Sequence, residues 1–165
     1  LFMDRLESTI SMARRRNIQM GLMFVDLDRF KWVNDQMGHA AGDQLLQEAA
    51  RRMKACVRKS DTVARLGGDE FTIILSDISG TGNPCLIAEK VLENLRTPFS
   101  LHGEEVTISG SIGGAIFPED GEDTETLLRN ADHAMYVAKN KGRDCCWFFT
   151  PTTNPEEDND GESRQ

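Results

Sequence analysis

The stretch "TVARLGGDEFTIIL" (62–75) decides how this chain is read. Two apolar runs, "TVARL" and "FTIIL", flank a Gly-Gly pair, which is the pattern of a β-hairpin. Two acids, Asp69 and Glu70, follow the glycines at once. Acids after such a turn are often solvated. They acquire a chemical use if another carboxylate meets them, and one candidate lies upstream. "MGLMFVD" (20–26) reads as a short buried strand that stops in "DLD". The two-residue period of a strand puts Asp26 and Asp28 on one side, with the Leu27 carbonyl between them. Hard oxygen donors at a strand end suit Mg²⁺. If this strand neighbours the hairpin, Asp26 and Asp69 converge. Two carboxylates and a main-chain carbonyl could then hold one or two Mg²⁺ ions, an arrangement that drives phosphoryl or nucleotidyl transfer. Gly67 and Gly68 leave room for a bulky ligand against their backbone, and their N–H groups could point at it. An EF-hand starting at Asp26 fails, because Lys31 and Met37 stand where that loop needs Gly and Glu.

The periodicities place these motifs in an order. "LFMDRLESTISMARRRN" (1–17) reads as a helix with a basic end. In 39–61, Leu45, Leu46, Ala49, Met53, Cys56 and Val57 recur at three- and four-residue steps, giving one apolar helical stripe. Asn83 and Pro84 open a helix over 83–95. "EVTISGSIGGAIF" (105–117) alternates as a strand with one packed face. Asp123 or Thr124 caps a helix over 123–142 that Gly142 stops. "CCWFF" is a last strand. The order α-β-α-β-β-α-β-α-β predicts an α+β domain, with helices packed on a largely antiparallel sheet. The tail over 150–165 lacks apolar periodicity and is expected to be disordered or a linker.

Composition narrows the functions. The chain has 165 residues, 39% hydrophobic and 28% charged, with a formal net charge of -8. That balance argues against a nucleic-acid surface. No Walker A or GxGxxG sequence is present. The 4 Cys make no CxxC pair and suit no zinc site. Buried reduced thiols in a cytoplasmic protein are the expectation. No run is long enough to span a membrane and no signal peptide is visible, so no membrane contact is expected.

"DLDRFKWVNDQMGHAAGD" (26–43), "RLGGDEF" (65–71) and "SIGGAIFPEDGEDTETLLRNADHAMYVAKNKGRD" (111–144) together resemble the GGDEF family, the diguanylate cyclases. The resemblance implies a fold like adenylyl cyclase and polymerase palm domains, of ferredoxin-like type. It assigns 1–149 to the GGDEF domain, lacking the family's usual opening segment. The implied activity is condensation of two GTP into cyclic di-GMP with release of pyrophosphate. Mg²⁺ or Mn²⁺ would be the cofactor and a transient homodimer the catalytic form. The same resemblance makes Asp26, Leu27 and Asp69 metal ligands, and Asp69 and Glu70 the catalytic acids. Asn34 and Asp43 would read guanine, with His39 beside them. Phe30, Lys31, Gly67, Gly68, Lys139 and Arg143 would line the phosphates. "RKSD" (58–61) matches an inhibitory product site formed by Arg58 and Asp61. An alternative function is a silent module that binds GTP or cyclic di-GMP and regulates an adjacent phosphodiesterase domain.

Overall fold

Five strands make the main sheet: β1 (Met20–Asp28), β2 (Thr62–Gly67), β3 (Glu70–Leu75), β6 (Ser109–Phe117) and β7 (Cys146–Phe148). Their order is β2-β3-β1-β6-β7 in the computed structural model, which describes residues 1–80, 82–150 and 154. β1 is central, antiparallel to both β3 and β6, and only β7 runs parallel to its neighbour β6. β2 and β3 are the two arms of the Gly-Gly hairpin. The domain is thus α+β, with an open and mostly antiparallel sheet flanked by helices, as the hydrophobic patterning predicts.

The helices are α1 (Phe2–Arg16), α2 (Phe30–Met37), α3 (His39–Ala55), α4 (Pro84–Arg96) and α5 (Thr124–Asn140). Side chains of β1 alternate between two cores. Met23, Val25 and Leu27 join α3 and α4 in one; Met20 and Leu22 join α1 and α5 in the other. The caps fall where the sequence places them. Asn83 Oδ1 accepts from Cys85 N at 2.9 Å and Asp123 Oδ1 from Thr126 N at 2.8 Å.

Three local expectations are corrected. The segment 105–117 is two strands. β5 (Glu104–Val106) pairs with β4 (Phe99–Leu101) in a separate hairpin, and only then does β6 begin. β6 is also packed on both faces, because α5 covers one and α4 the other. Its glycines make that possible: a Cβ at Gly113 would sit 2.1 Å from the backbone nitrogen of Met135 in α5. Finally, the segment after "DLD" is a short helix of its own, α2, and α3 ends at Ala55 rather than running on to residue 61. In the tail, Asn154 bonds both main-chain groups of Phe148, Nδ2 donating to the carbonyl and Oδ1 accepting from the N–H. Residues 151–153 and 155–165, where disorder or a linker is expected, lie outside the described residues.

Candidate functional site

Antiparallel pairing does the first part of the assembly. Asp26 is the register partner of Glu70 on β3 and of Ser111 on β6, and cross-strand partners share a face. Asp26 and Asp28 continue the even-numbered side of β1, the side on which Met20 and Leu22 meet α1 and α5. Both carboxylates are therefore covered by the end of α5. Lys139, in its last turn, is ion-paired with Asp26 Oδ2. Arg143 lies beyond the helix, with its guanidinium 3.6 Å from Asp28 Oδ1.

The hairpin brings the second acid. The Leu27 N–H donates to the Asp69 carbonyl at 3.2 Å, which fastens the turn to β1. Arg65 Nε donates to the Gly68 carbonyl at 3.0 Å and braces the turn from its own strand. At Gly67 and Gly68, φ is +154 and +52, and no atom stands within 4 Å of where a Cβ would be. The turn therefore has the open space that the two glycines suggested.

Electrostatically the site is short of positive charge. Partial burial, and then the neighbouring negative charge of Asp26, push the Asp69 carboxyl up to about 6 from an ordinary 3.8. Asp26 Oδ1 is buried with no hydrogen-bond donor upon it. A buried orphan oxygen facing an opposed carboxylate is costly unless a cation joins them. The available donors, two carboxylates and the Leu27 carbonyl, are all hard oxygens, which fits Mg²⁺ or Mn²⁺. Among the described residues no three His, Cys, Asp or Glu side chains converge on a common point, so water or a ligand's own oxygens would complete such a coordination shell.

A second group stands on α2 and α3, where α2 starts two residues after Asp28. Asn34 Oδ1 is buried without a partner and lies against Gly42. A Cβ there would come within 1.9 Å of that oxygen. His39 and Asp43 are exposed on α3, as is Lys31 on α2. Phe30 is half-buried and packs on the core, so its side chain supports α2 rather than facing solvent.

Arg58 and Asp61 sit away from these groups, after α3. Asp61 Oδ2 accepts from Arg58 N at 2.9 Å. Its Oδ1 accepts from Ser76 N at 2.9 Å and Ser76 Oγ at 3.3 Å. Much of that carboxylate is thus engaged in closing its own turn, while the Arg58 side chain is exposed and borders a cavity of about 130 Å³. Sequence reasoning missed the partners of Asp28, the brace from Arg65 and the role of Gly42. The Asp28 contacts and the Gly42 role carry no local signal, because each acts on a residue from another element, and the Arg65 brace depends on the turn's geometry rather than on its residue types.

Residues 1–145 match the family model described as "Diguanylate cyclase, GGDEF domain". The chain is 45% identical over 151 residues to the bifunctional diguanylate cyclase/cyclic di-GMP phosphodiesterase MucR of Pseudomonas aeruginosa; the match covers 92% of this chain and 22% of that protein. It is 40% identical over 143 residues to the diguanylate cyclase TpbB of the same organism, covering 86% of this chain and 33% of TpbB. The chain thus spans a third or less of those relatives. A crystal structure of the TpbB GGDEF domain superposes with a TM-score of 0.85 at 38% identity, covering 89% of this chain and 92% of that one. The GGDEF domain of DgcB from Caulobacter crescentus, solved in complex with c-di-GMP, is 25% identical with a TM-score of 0.79, covering 90% and 88%. The matched region takes in the Asp26 strand, the Gly-Gly-Asp-Glu hairpin and the Lys139 helix alike, and on that ground the chain belongs to the GGDEF-domain family.

Proposed function

We propose that this domain is a diguanylate cyclase, condensing two GTP into cyclic di-GMP with release of two pyrophosphates. One observation carries the reading: two carboxylates, Asp26 and Asp69, crowd together with Lys139 as the one cation paired to them among the described contacts and an orphan oxygen on Asp26, beside an open glycine turn. One lysine against two carboxylates leaves room for a divalent cation. A divalent ion bound there would screen the triphosphate and make the ribose 3′-hydroxyl more acidic. Each half-reaction joins the 3′-oxygen of one nucleotide to the α-phosphorus of the other, expels pyrophosphate, and releases the hydroxyl proton. Asp69 or Glu70 would take that proton.

Asn34 and Asp43 would bind guanine, the aspartate accepting from N1–H and N2–H₂, donors that adenine cannot present in that arrangement. Lys31, Lys139 and Arg143 would face the phosphates. One domain has one such site, so two copies must meet with their sites opposed. The test is direct: incubate concentrated protein with GTP and Mg²⁺ and chromatograph the products. Cyclic di-GMP above an Asp69→Ala control supports the cyclase, and its absence from both removes it.

The second reading is a regulatory module that binds GTP or cyclic di-GMP without turnover. It is favoured by the match to a bifunctional relative of which this chain spans only 22%. Guanine-nucleotide binding by wild type with no product would select it. An inhibitory product site at Arg58 and Asp61 belongs to either reading, and loss of cyclic di-GMP affinity in Arg58→Ala would support it.

A further inference from the structure

The two aspartates of "DLD" share a strand face but not an environment. Asp26 keeps a buried oxygen with no donor. Asp28, only 4% exposed, has hydrogen bonds on both oxygens. Its Oδ1 accepts from Ser111 Oγ at 2.9 Å and faces the Arg143 guanidinium at 3.6 Å. Its Oδ2 accepts from Ser109 Oγ at 2.7 Å and from the main-chain N–H of Asp144 at 3.1 Å. Three hydrogen bonds and the Arg143 charge thus commit both oxygens of Asp28 to the protein, whereas Asp26 keeps one oxygen without a donor.

The Asp144 contact reaches a loop with an unusual backbone. Gly142, Arg143 and Asp144 follow one another at φ +111, +64 and +50. Two successive non-glycine residues in the left-handed region persist only where the surroundings hold them. The same residue is gripped from the other side by Arg96 at the end of α4, whose Nε donates to Asp144 Oδ1 at 2.7 Å and whose Nη2 donates to the Asp144 carbonyl at 3.2 Å. Arg143 N donates to the Ala138 carbonyl at 3.2 Å, closing the loop onto α5.

We infer that Asp28 is a positioning residue, not a metal ligand: with Arg96 it clamps the left-handed 142–144 loop so that the Arg143 guanidinium stands on the same strand face as Lys139, aimed at the phosphates of a bound nucleotide. The aim at phosphate rests on the nucleotide site proposed above; the clamp does not. Asp28 acts through Arg143, so removing it must cost affinity for the triphosphate and spare the base.

The experiment compares wild type, Asp28→Asn, Arg143→Met and the double variant. Hydrogen exchange of the 142–145 amides is measured without ligand, and Kd for GTP and for guanosine is measured with Mn²⁺ present. Faster exchange in Asp28→Asn is expected. GTP should weaken about tenfold, the size of one charge-assisted contact, with guanosine within about twofold. The double variant should be no weaker than Arg143→Met alone. Should Asp28→Asn fold poorly, Arg96→Gln loosens the same loop from its exposed side and is expected to show a smaller loss of the same kind. Unchanged exchange overturns the clamp. Equal losses for GTP and guanosine, additive losses in the double variant, or recovery of Asp28→Asn at high Mn²⁺ overturn the positioning role. If wild type binds neither nucleotide, the functional reading falls, and the exchange comparison still decides whether Asp28 holds the loop.

Discussion

Lys139 of α5 is ion-paired with Asp26 of β1 through one carboxylate oxygen, and the other oxygen stays buried without a donor. The lysine is the one cation seated directly on the Asp26–Asp69 pair among the described side-chain contacts. Lys139→Met should therefore lower the stability of the ligand-free protein. The expected cost is about 1–3 kcal/mol, less than for a fully buried pair because the lysine is partly exposed. Urea denaturation measures it. Millimolar Mg²⁺ should restore part of the loss, since the ion neutralises the same charge. A variant as stable as wild type would show that solvent already screens Asp26.

Asp69 makes stability fall as pH rises. Its folded carboxyl, at about 6, keeps a proton that the unfolded chain has released above its ordinary 3.8. The folded state binds more protons in that window. The contribution is thus complete below about pH 4 and is lost as pH rises through about 6. Asp69→Asn should match wild type near pH 4 and melt about 2–4 °C higher at pH 7.5, after allowing for solvent screening of a half-buried group. Melting curves at both pH values decide it. A gain of equal size at both would assign the effect to something other than titration.

Gly42→Ala should separate base recognition from folding. Alanine favours a helix interior over glycine by about 0.5–1 kcal/mol, but the added Cβ collides with Asn34 Oδ1. Global stability should stay close to wild type while the affinity for guanosine drops about tenfold or more, as expected when a hydrogen-bonding side chain is displaced. Calorimetry on wild type and variant reads both quantities. Unaltered guanosine affinity would remove Asn34 from the guanine site.

Asp61→Ala and Arg58→Ala should behave differently. Asp61 serves two main-chain N–H groups and a hydroxyl, so its loss should cost about 1–2 kcal/mol. Arg58 offers an exposed side chain, and its replacement should stay within about 0.5 kcal/mol. Denaturation midpoints of the two variants check this. A large loss in Arg58→Ala would give its side chain a structural role.

Much of this layout was legible beforehand. The hairpin, the buried Asp26 strand and the caps at Asn83 and Asp123 all follow from local chemistry: turn glycines, period-two burial, and side chains that accept a nearby N–H. Helix α2 was missed because "FKWVND" is too short for its periodicity to register. The split between β5 and β6 was missed because one alternating pattern runs through both. Asp28 was read with Asp26, since spacing cannot tell two carboxylates on one strand face apart.

The sequence by itself determined most of the element types, the two-carboxylate motif and the family, because each rests on local patterns and short motifs along the chain. Only the tertiary structure decided what each carboxylate does. Asp26 meets Asp69 and Lys139 from a hairpin and a helix far along the chain, and keeps one oxygen free. Asp28 meets two serines of β6, Arg143 and the Asp144 backbone, and keeps none. Charge and hydrogen-bond satisfaction are properties of the neighbours in space, and strand pairing with helix packing chose those neighbours.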